Sequence, residues 1–334
     1  GKSTVGMTGD LAPGYFATDG ELIDMAKTIS EVRPGKGVFQ CISQMTSMAR
    51  PEGFEDPALL LRTDGTHRGM DWMREIAKLG LTVTPTGEFQ SSGDHTDAEI
   101  EAMIATCYRA ADEGPGRILP QIGPRSISVN WGIELPLNPF SRHPTFQQLQ
   151  AEGLTPREIH ELLKEPEMKE RLMRESEEGL GMRGYVRSAP YLRVLRGEPC
   201  EYEVVDQNLK VDGAAASAGM DLWEFAYEEL VMKDSIFSLP NNREETDLDS
   251  VLRNMQLPVT RIGLGDSGAH LTSIMDGGFF PFLLVHYCRD RVAGAQLGLE
   301  AAVKMLSADN ADLYHLSDRG VLAEGMSLSV SLSL

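Results

Sequence analysis

The chain has 334 residues, 41% of them hydrophobic and 24% charged, which is a globular mixture rather than a disordered one. Its 31 Lys and Arg against 50 Asp and Glu leave a formal net charge of −19, which argues against nucleic acid and against an anionic membrane surface as partners. No window approaches the roughly 18 uninterrupted apolar residues of a membrane span, and Cys41, Cys107, Cys200 and Cys288 form no CxxC pair, which points to a reducing, cytoplasmic compartment.

The predicted elements alternate between strand and helix. Thr18 caps a first helix: Glu21 stands three residues on, and Leu22, Ile23, Met25, Ala26 and Ile29 supply its apolar face. Gly35 closes that region, and residues 37–42 follow as a short strand. A helix over 72–79 precedes a strand over 81–84. Asp97 is the expected cap of a helix over 98–111, and residues 117–121 form the next strand. Thr155, Pro156 and Glu158 together mark a helix start, with a break expected at Pro166 and a continuation to about Glu178. A long helix is expected over 214–230, a strand over 258–264, and helices over 278–291 and 297–306. The tail 326–334 alternates Ser with Leu or Val at period two, a strand pattern. This alternation implies parallel strands with helical crossovers, in a barrel or an open sheet.

The sharpest chemical feature is Gly263-Leu264-Gly265-Asp266-Ser267-Gly268-Ala269-His270, where an apolar strand runs into an Asp, a Gly-containing turn and a His. An Asp at the carboxyl end of a parallel strand can ligate a metal or take a proton from a metal-bound water. The same residues also fit a turn held by Asp266 with a structural His270. The seven histidines form no HxH, HExxH or HxxxH, so a metal site would be assembled from distant positions. His160 is expected on a solvated helix face, and His67 and His270 are the histidines of interest. Asp318-Arg319-Gly320, followed by Leu322 and Gly325, is a turn signature.

Residues 263–270 and 318–325 together resemble the amidohydrolase superfamily, and within it the N-acyl-D-amino-acid deacylase (D-aminoacylase) branch. Asp266-Ser267-Gly268-Ala269-His270 is similar to that branch's Ser-Asp-x-Gly-Ala-His turn, with Gly265 in place of Ser. Asp318-Arg319-Gly320-Val321-Leu322-Ala323-Glu324-Gly325 is similar to its Asp-Arg-Gly-x-Leu-x-x-Gly turn. Further likeness runs through Ala12-Pro13-Gly14, Gln121, Pro124-Arg125, Asn138-Pro139-Phe140, Asn241-Asn242 and Leu297-Gly298-Leu299-Glu300.

The resemblance implies an α/β fold of (β/α)8 TIM-barrel type over 1–317, as an incomplete barrel, with 318–334 returning to a small β-sandwich. It implies hydrolysis of the C–N amide bond of an N-acyl-D-amino acid, with a divalent metal, zinc, as cofactor. Asp266 would touch the metal and act as general base, and His270, Asn241 and Arg125 would lie on the substrate side. The family's HxH or HxD motif is absent, and the strands matching its later His positions, residues 37–44 and 81–90, carry no His. By resemblance the chain therefore starts partway round the barrel. The alternatives are a catalytically incomplete barrel serving as a binding or assembly partner, and a cyclic amidase. The expected partners are a small-molecule substrate and a second copy of the chain.

Overall fold

A computed structural model describes residues 17–42, 56–86, 96–125, 128–181, 183–195, 210–240, 248–263, 265, 274 and 276–327. The strands in chain order are β1 (Val38–Ile42), β2 (Thr82–Thr86), β3 (Arg117–Ile118), β4 (Gln121–Ile122), β5 (Ser128–Trp131), β6 (Arg193–Leu195), β7 (Ile236–Pro240) and β8 (Arg261–Ile262). The helices are α1 (Asp19–Val32), α2 (Asp71–Lys78), α3 (Asp97–Glu113), α4 (Pro144–Ala151), α5 (Pro156–Leu163), α6 (Pro166–Glu177), α7 (Arg183–Ser188), α8 (Val211–Ala218), α9 (Leu222–Ala226), α10 (Leu248–Met255), α11 (Phe279–Phe282), α12 (Leu299–Leu306) and α13 (Ala308–Leu313). Two compact units emerge: Gly1–Arg125 with Asp247–Gly265 and Gly278–Leu334, and Ser126–Thr246 with Asp266–Gly277.

The first unit is the parallel α/β architecture expected from the alternation. Its sheet runs β1-β2-β4-β8, with β3 also on β2, and every pairing is parallel. Among the described residues β1 and β8 are the two ends of this path. Period two divides the strands by face. Phe39, Val83 and Ile118 face Trp72, Met73 and Ile76 of α2 and Ile100, Met103 and Cys107 of α3, all buried in one cluster. The α1 helix starts as expected, with a reciprocal capping box between Thr18 and Glu21. The α3 helix does not start at Asp97: the cap is Thr96, because Glu99 rather than a residue three beyond Asp97 returns the hydrogen bonds (Thr96 N to Glu99 Oε2, 2.8 Å). The expected strand over 117–121 is split, since Pro120 has no N–H to give the ladder. The strand expected over 258–264 shrinks to Arg261–Ile262: Pro258 also lacks a donor, and the Thr260 hydroxyl turns back to the Asn254 carbonyl at 2.6 Å. Gly116 admits no side chain, as a Cβ there would lie 2.1 Å from the Ala77 carbonyl oxygen and 2.4 Å from that of Leu81.

The amino-terminal edge of this sheet is tied to the late helices. Arg117 donates to the Asp312 carboxylate at 2.7 Å, and buried Arg261 donates to the same carboxylate at 3.0 Å and to the Asp309 carbonyl at 3.0 Å. The Thr82 hydroxyl lies 3.1 Å from His315 Nε2, across 233 positions of sequence.

The second unit carries an antiparallel sheet, β5-β7-β6, that the alternation does not predict. Its apolar face holds Trp131, Phe237 and Val194, packed with Tyr185, Phe225, Phe140, Leu163 and Leu172. Phe237 stacks between Tyr185 and Phe225, each ring 6.3 Å away. The Thr155–Glu158 capping box and the break before Pro166 are as expected. The long helix expected over 214–230 is instead three pieces. Gly219 takes a left-handed φ of +68° and ends α8; the Asp221 carboxylate accepts from the Trp223 and Glu224 N–H groups to start α9; the chain then widens into a π-helix, Tyr227–Met232. His160 is not on a solvated face. It is 2% exposed, with Nδ1 3.1 Å from Glu134 Oε1 and Nε2 2.9 Å from the Val231 carbonyl. No helix among the described residues is long and apolar enough to cross a membrane.

Candidate functional site

The carboxyl edge of a parallel sheet is where α/β enzymes place their chemistry. In the first unit, β2 runs toward this edge with a polar face opposite its apolar core. Thr82, Thr84 and Thr86 alternate with Val83, and all three are buried. Gln40 of β1 is the register partner of Thr84, and Gln121 of β4 that of Thr86. The Gln121 carboxamide donates to the Thr84 hydroxyl at 3.2 Å. It also lies over Gly263, where a Cβ would stand 2.5 Å from Gln121 Oε1. Glycine just after β8 therefore leaves room for a buried amide.

Arg125 follows β4 by three residues and is 4% exposed. Its guanidinium carbon stands 4.6 Å from the centre of the Phe279 ring and 5.9 Å from that of Phe282. The negative faces of the rings attract the guanidinium and hold it in place. The nearby Gly278 leaves space beside it, since a Cβ there would be 3.9 Å from Arg125 Nη2. Phe282 in turn stacks on His286, ring centres 4.6 Å apart. These positions supply hydroxyls, carboxamides and a guanidinium, which suit hydrogen bonding to a polar amide and charge balance with a carboxylate.

Of the residues expected at the site, Arg125 is placed; Asp266, His270 and Asn241 lie outside the described residues. Among the described residues no three His, Cys, Asp or Glu side chains converge as a metal would require, so these residues do not by themselves fit the zinc that the resemblance implies. The histidines have structural surroundings. His67 is buried and its Nδ1 accepts from the Gly69 N–H at 3.2 Å, opening the short helix Arg68–Met70. His143 is buried between the rings of Phe140 and Trp223, each 5.2 Å away, with Nε2 2.8 Å from the Ser176 hydroxyl. Burial pushes its pKa down, against the opposing pull of Glu175. Among the cysteines, burial pushes the Cys107 thiol far up, which makes it inert. Gln40, Thr84 and Gln121 were absent from the candidate residues. A signal was available for Thr84 alone: Thr82, Thr84 and Thr86 stand at every second position of a strand whose other face holds Val83.

No family model matches the chain, and no curated protein matches it. Among solved structures it is similar to an N-acyl-D-glutamate deacylase from Bordetella bronchiseptica, determined with zinc and a phosphonate mimic of the tetrahedral intermediate: 16% identity, TM-score 0.46, covering 94% of this chain and 49% of that one. It is also similar to a D-aminoacylase whose structure defines a subset of amidohydrolases: 14% identity, TM-score 0.44, covering 92% of this chain and 48% of that one. The chain thus spans about half the length of the solved structures it matches.

Proposed function

We propose that the chain belongs to a metal-dependent amidohydrolase that cleaves the C–N bond of an N-acyl-D-amino acid. The observation that carries the reading is the carboxyl edge of the parallel sheet. There β4 runs on to the buried Arg125 cation, and the adjacent β8 ends at Ile262, four residues before Asp266 in the family-like turn. In this reading Asp266 takes the proton of the attacking water, the water oxygen bonds to the acyl carbon, and the proton passes to the departing amine as the C–N bond breaks. Arg125 balances the substrate carboxylate, Thr84 and Gln121 orient the amide, and His270 and Asn241 flank the substrate. A divalent metal, zinc by resemblance, would polarise the acyl carbonyl when bound.

The test is amine release from paired N-acetyl-D- and N-acetyl-L-amino acids, with a hydantoin as cyclic control. It is run with added zinc and after chelation, on the wild type and Asp266→Asn. Chelator-sensitive release from the D-series, lost in Asp266→Asn, is the expected result. Turnover of the hydantoin alone selects the cyclic amidase. A second reading has its own support: Gln40, Thr84 and Gln121 present neutral oxygens and amides rather than imidazoles on β1, β2 and β4, as a barrel used for binding rather than hydrolysis would. Absence of bound metal by elemental analysis, together with no turnover, selects that reading.

A further inference from the structure

The second unit buries a histidine that the proposed hydrolysis does not use. His160 of α5 has Nε2 2.9 Å from the Val231 carbonyl oxygen, in the π-helix, and Nδ1 3.1 Å from Glu134 Oε1, in the turn that follows β5. That turn is closed by two backbone bonds of 3.0 Å, from the Gly132 N–H to the Leu137 carbonyl and from the Leu135 N–H to the Gly132 carbonyl. A second carboxylate, Asp234 Oδ1, is 3.9 Å from the same Nδ1. Asp234 takes a left-handed φ of +54° between the π-helix and β7. The charged side chains of the π-helix, Glu228 and Glu229, are paired with Lys169 and Lys233. On α5 itself Glu161 feels the charge of the ring and is paired with Lys164 at 2.8 Å.

The two contacts of the ring make a joint demand. A carbonyl and a carboxylate are acceptors only, so each ring nitrogen must bring a hydrogen. A neutral imidazole has one N–H; the imidazolium has two. The two acceptors are not equally free to let go. Val231 is fully buried, where giving up a hydrogen bond is costly. The Glu134 side chain is 42% exposed and can turn to water instead. The hydrogen that can leave is therefore the one on Nδ1.

We infer that His160 is a pH-sensitive clasp: as the imidazolium it holds the Glu134 turn to the π-helix, and loss of the Nδ1 proton frees that turn. The proton passes from Nδ1 to solvent. The neutral ring keeps its Nε2–H on the Val231 carbonyl, and its Nδ1 lone pair then faces the Glu134 carboxylate, which it repels. The clasp closes as pH falls and opens as pH rises. The inference does not rest on the hydrolase reading, since every residue of the clasp lies in the second unit.

The test is nitrogen-15 NMR of the His160 ring in the full chain, from about pH 5 to 9. Amide hydrogen exchange is read at Gly132 and Leu135 over the same range and corrected for its intrinsic pH dependence. The expected result is an imidazolium at the acid end and a neutral ring with its hydrogen on Nε2 at the alkaline end. Protection at Gly132 and Leu135 is expected to fall in step by about tenfold or more, the scale of a lost charge-assisted hydrogen bond. Glu134→Gln, at an exposed position, is expected to erase the step, because a carboxamide accepts from the imidazolium and donates to the neutral ring. The inference is overturned by a ring whose charge does not change across this range, by a neutral ring with its hydrogen on Nδ1, by exchange at Gly132 and Leu135 that does not follow the ring, or by a step that survives Glu134→Gln.

Discussion

The two units hide one face of a sheet by different means. In the first, a parallel sheet rests on three helices through mainly aliphatic and sulfur-containing side chains, and its other face is a neutral layer of threonines and glutamines. In the second, an antiparallel sheet rests on stacked aromatic rings, and its other face carries charge. Period-two alternation works in both, but it sorts different chemistry. The neutral layer suits a polar, uncharged bond.

The sharpest way to break this comparison is to damage each core at its least forgiving point. Phe237→Ala removes the ring at the centre of the aromatic stack and is expected to cost about 3–5 kcal/mol. Gly116→Ala forces a methyl against two backbone oxygens in the first unit and is expected to cost about 3 kcal/mol. Urea unfolding followed by hydrogen exchange, read separately over 82–118 and 193–238, tells whether each loss stays in its own unit. Loss spreading equally to both segments from either variant would show that the two units unfold as one.

Capping supplies a smaller, finer probe. Thr96→Ala in the first unit and Thr155→Ala in the second each break a reciprocal box and are each expected to cost about 1 kcal/mol. A cost near zero at either position, by the same unfolding assay, would mean that packing alone holds that helix start.

Acid probes both units with the least perturbation. Burial holds the His143 pKa below the ordinary imidazole range, so the unfolded chain binds its proton more readily. That contribution is full above the ordinary value and fades as pH falls below it. In the first unit, the hydrogen bond from Arg74 holds Glu113 low. Asp312 is raised by burial but lowered more by its bonds to Arg261 and Arg117. Stability from these carboxylates is present above their ordinary values and is lost only as pH falls through the depressed folded ones. Burial also holds His315 low in the first unit, where it bonds Thr82, so both units are expected to begin loosening on acidification, and His143→Gln to flatten the early slope of the second unit alone. Hydrogen exchange between pH 7.5 and 5 checks it, and an equal flattening over 82–118 in His143→Gln would refute the assignment.

Much of the short-range structure in both units was legible from sequence. The Thr18 and Thr155 boxes, the glycine after the first helix and the apolar face of β2 each follow from short-range rules. What failed depended on competition between neighbours. Thr96 and Asp97 are both good caps, and the position of Glu99 decides between them. The 214–230 segment is apolar enough for one helix, yet Gly219 and Asp221 together reset it. The antiparallel sheet was illegible because its partners are far apart: Val129 and Leu239, or Val194 and Phe237, find each other only in the folded chain. His160 misled for the same reason, since its acceptors Glu134 and Val231 lie outside its own helix. At the candidate site the Thr84–Gln121 pair needed the register of three strands, and the family-like turn lies outside the described residues.

The bonds that tie Thr82, Arg117 and Arg261 to Asp312 and His315 also have a consequence for synthesis. β8 and α13, which close the amino-terminal edge of the parallel sheet, are translated long after β1 and β2. A nascent chain must therefore carry β2 and β3 with that edge uncapped while some two hundred further residues emerge, a span set by the 195-residue separation of Arg117 and Asp312. During that interval the growing polypeptide is at its most exposed to misassembly, and chaperone engagement on the ribosome should peak before Asp312 appears.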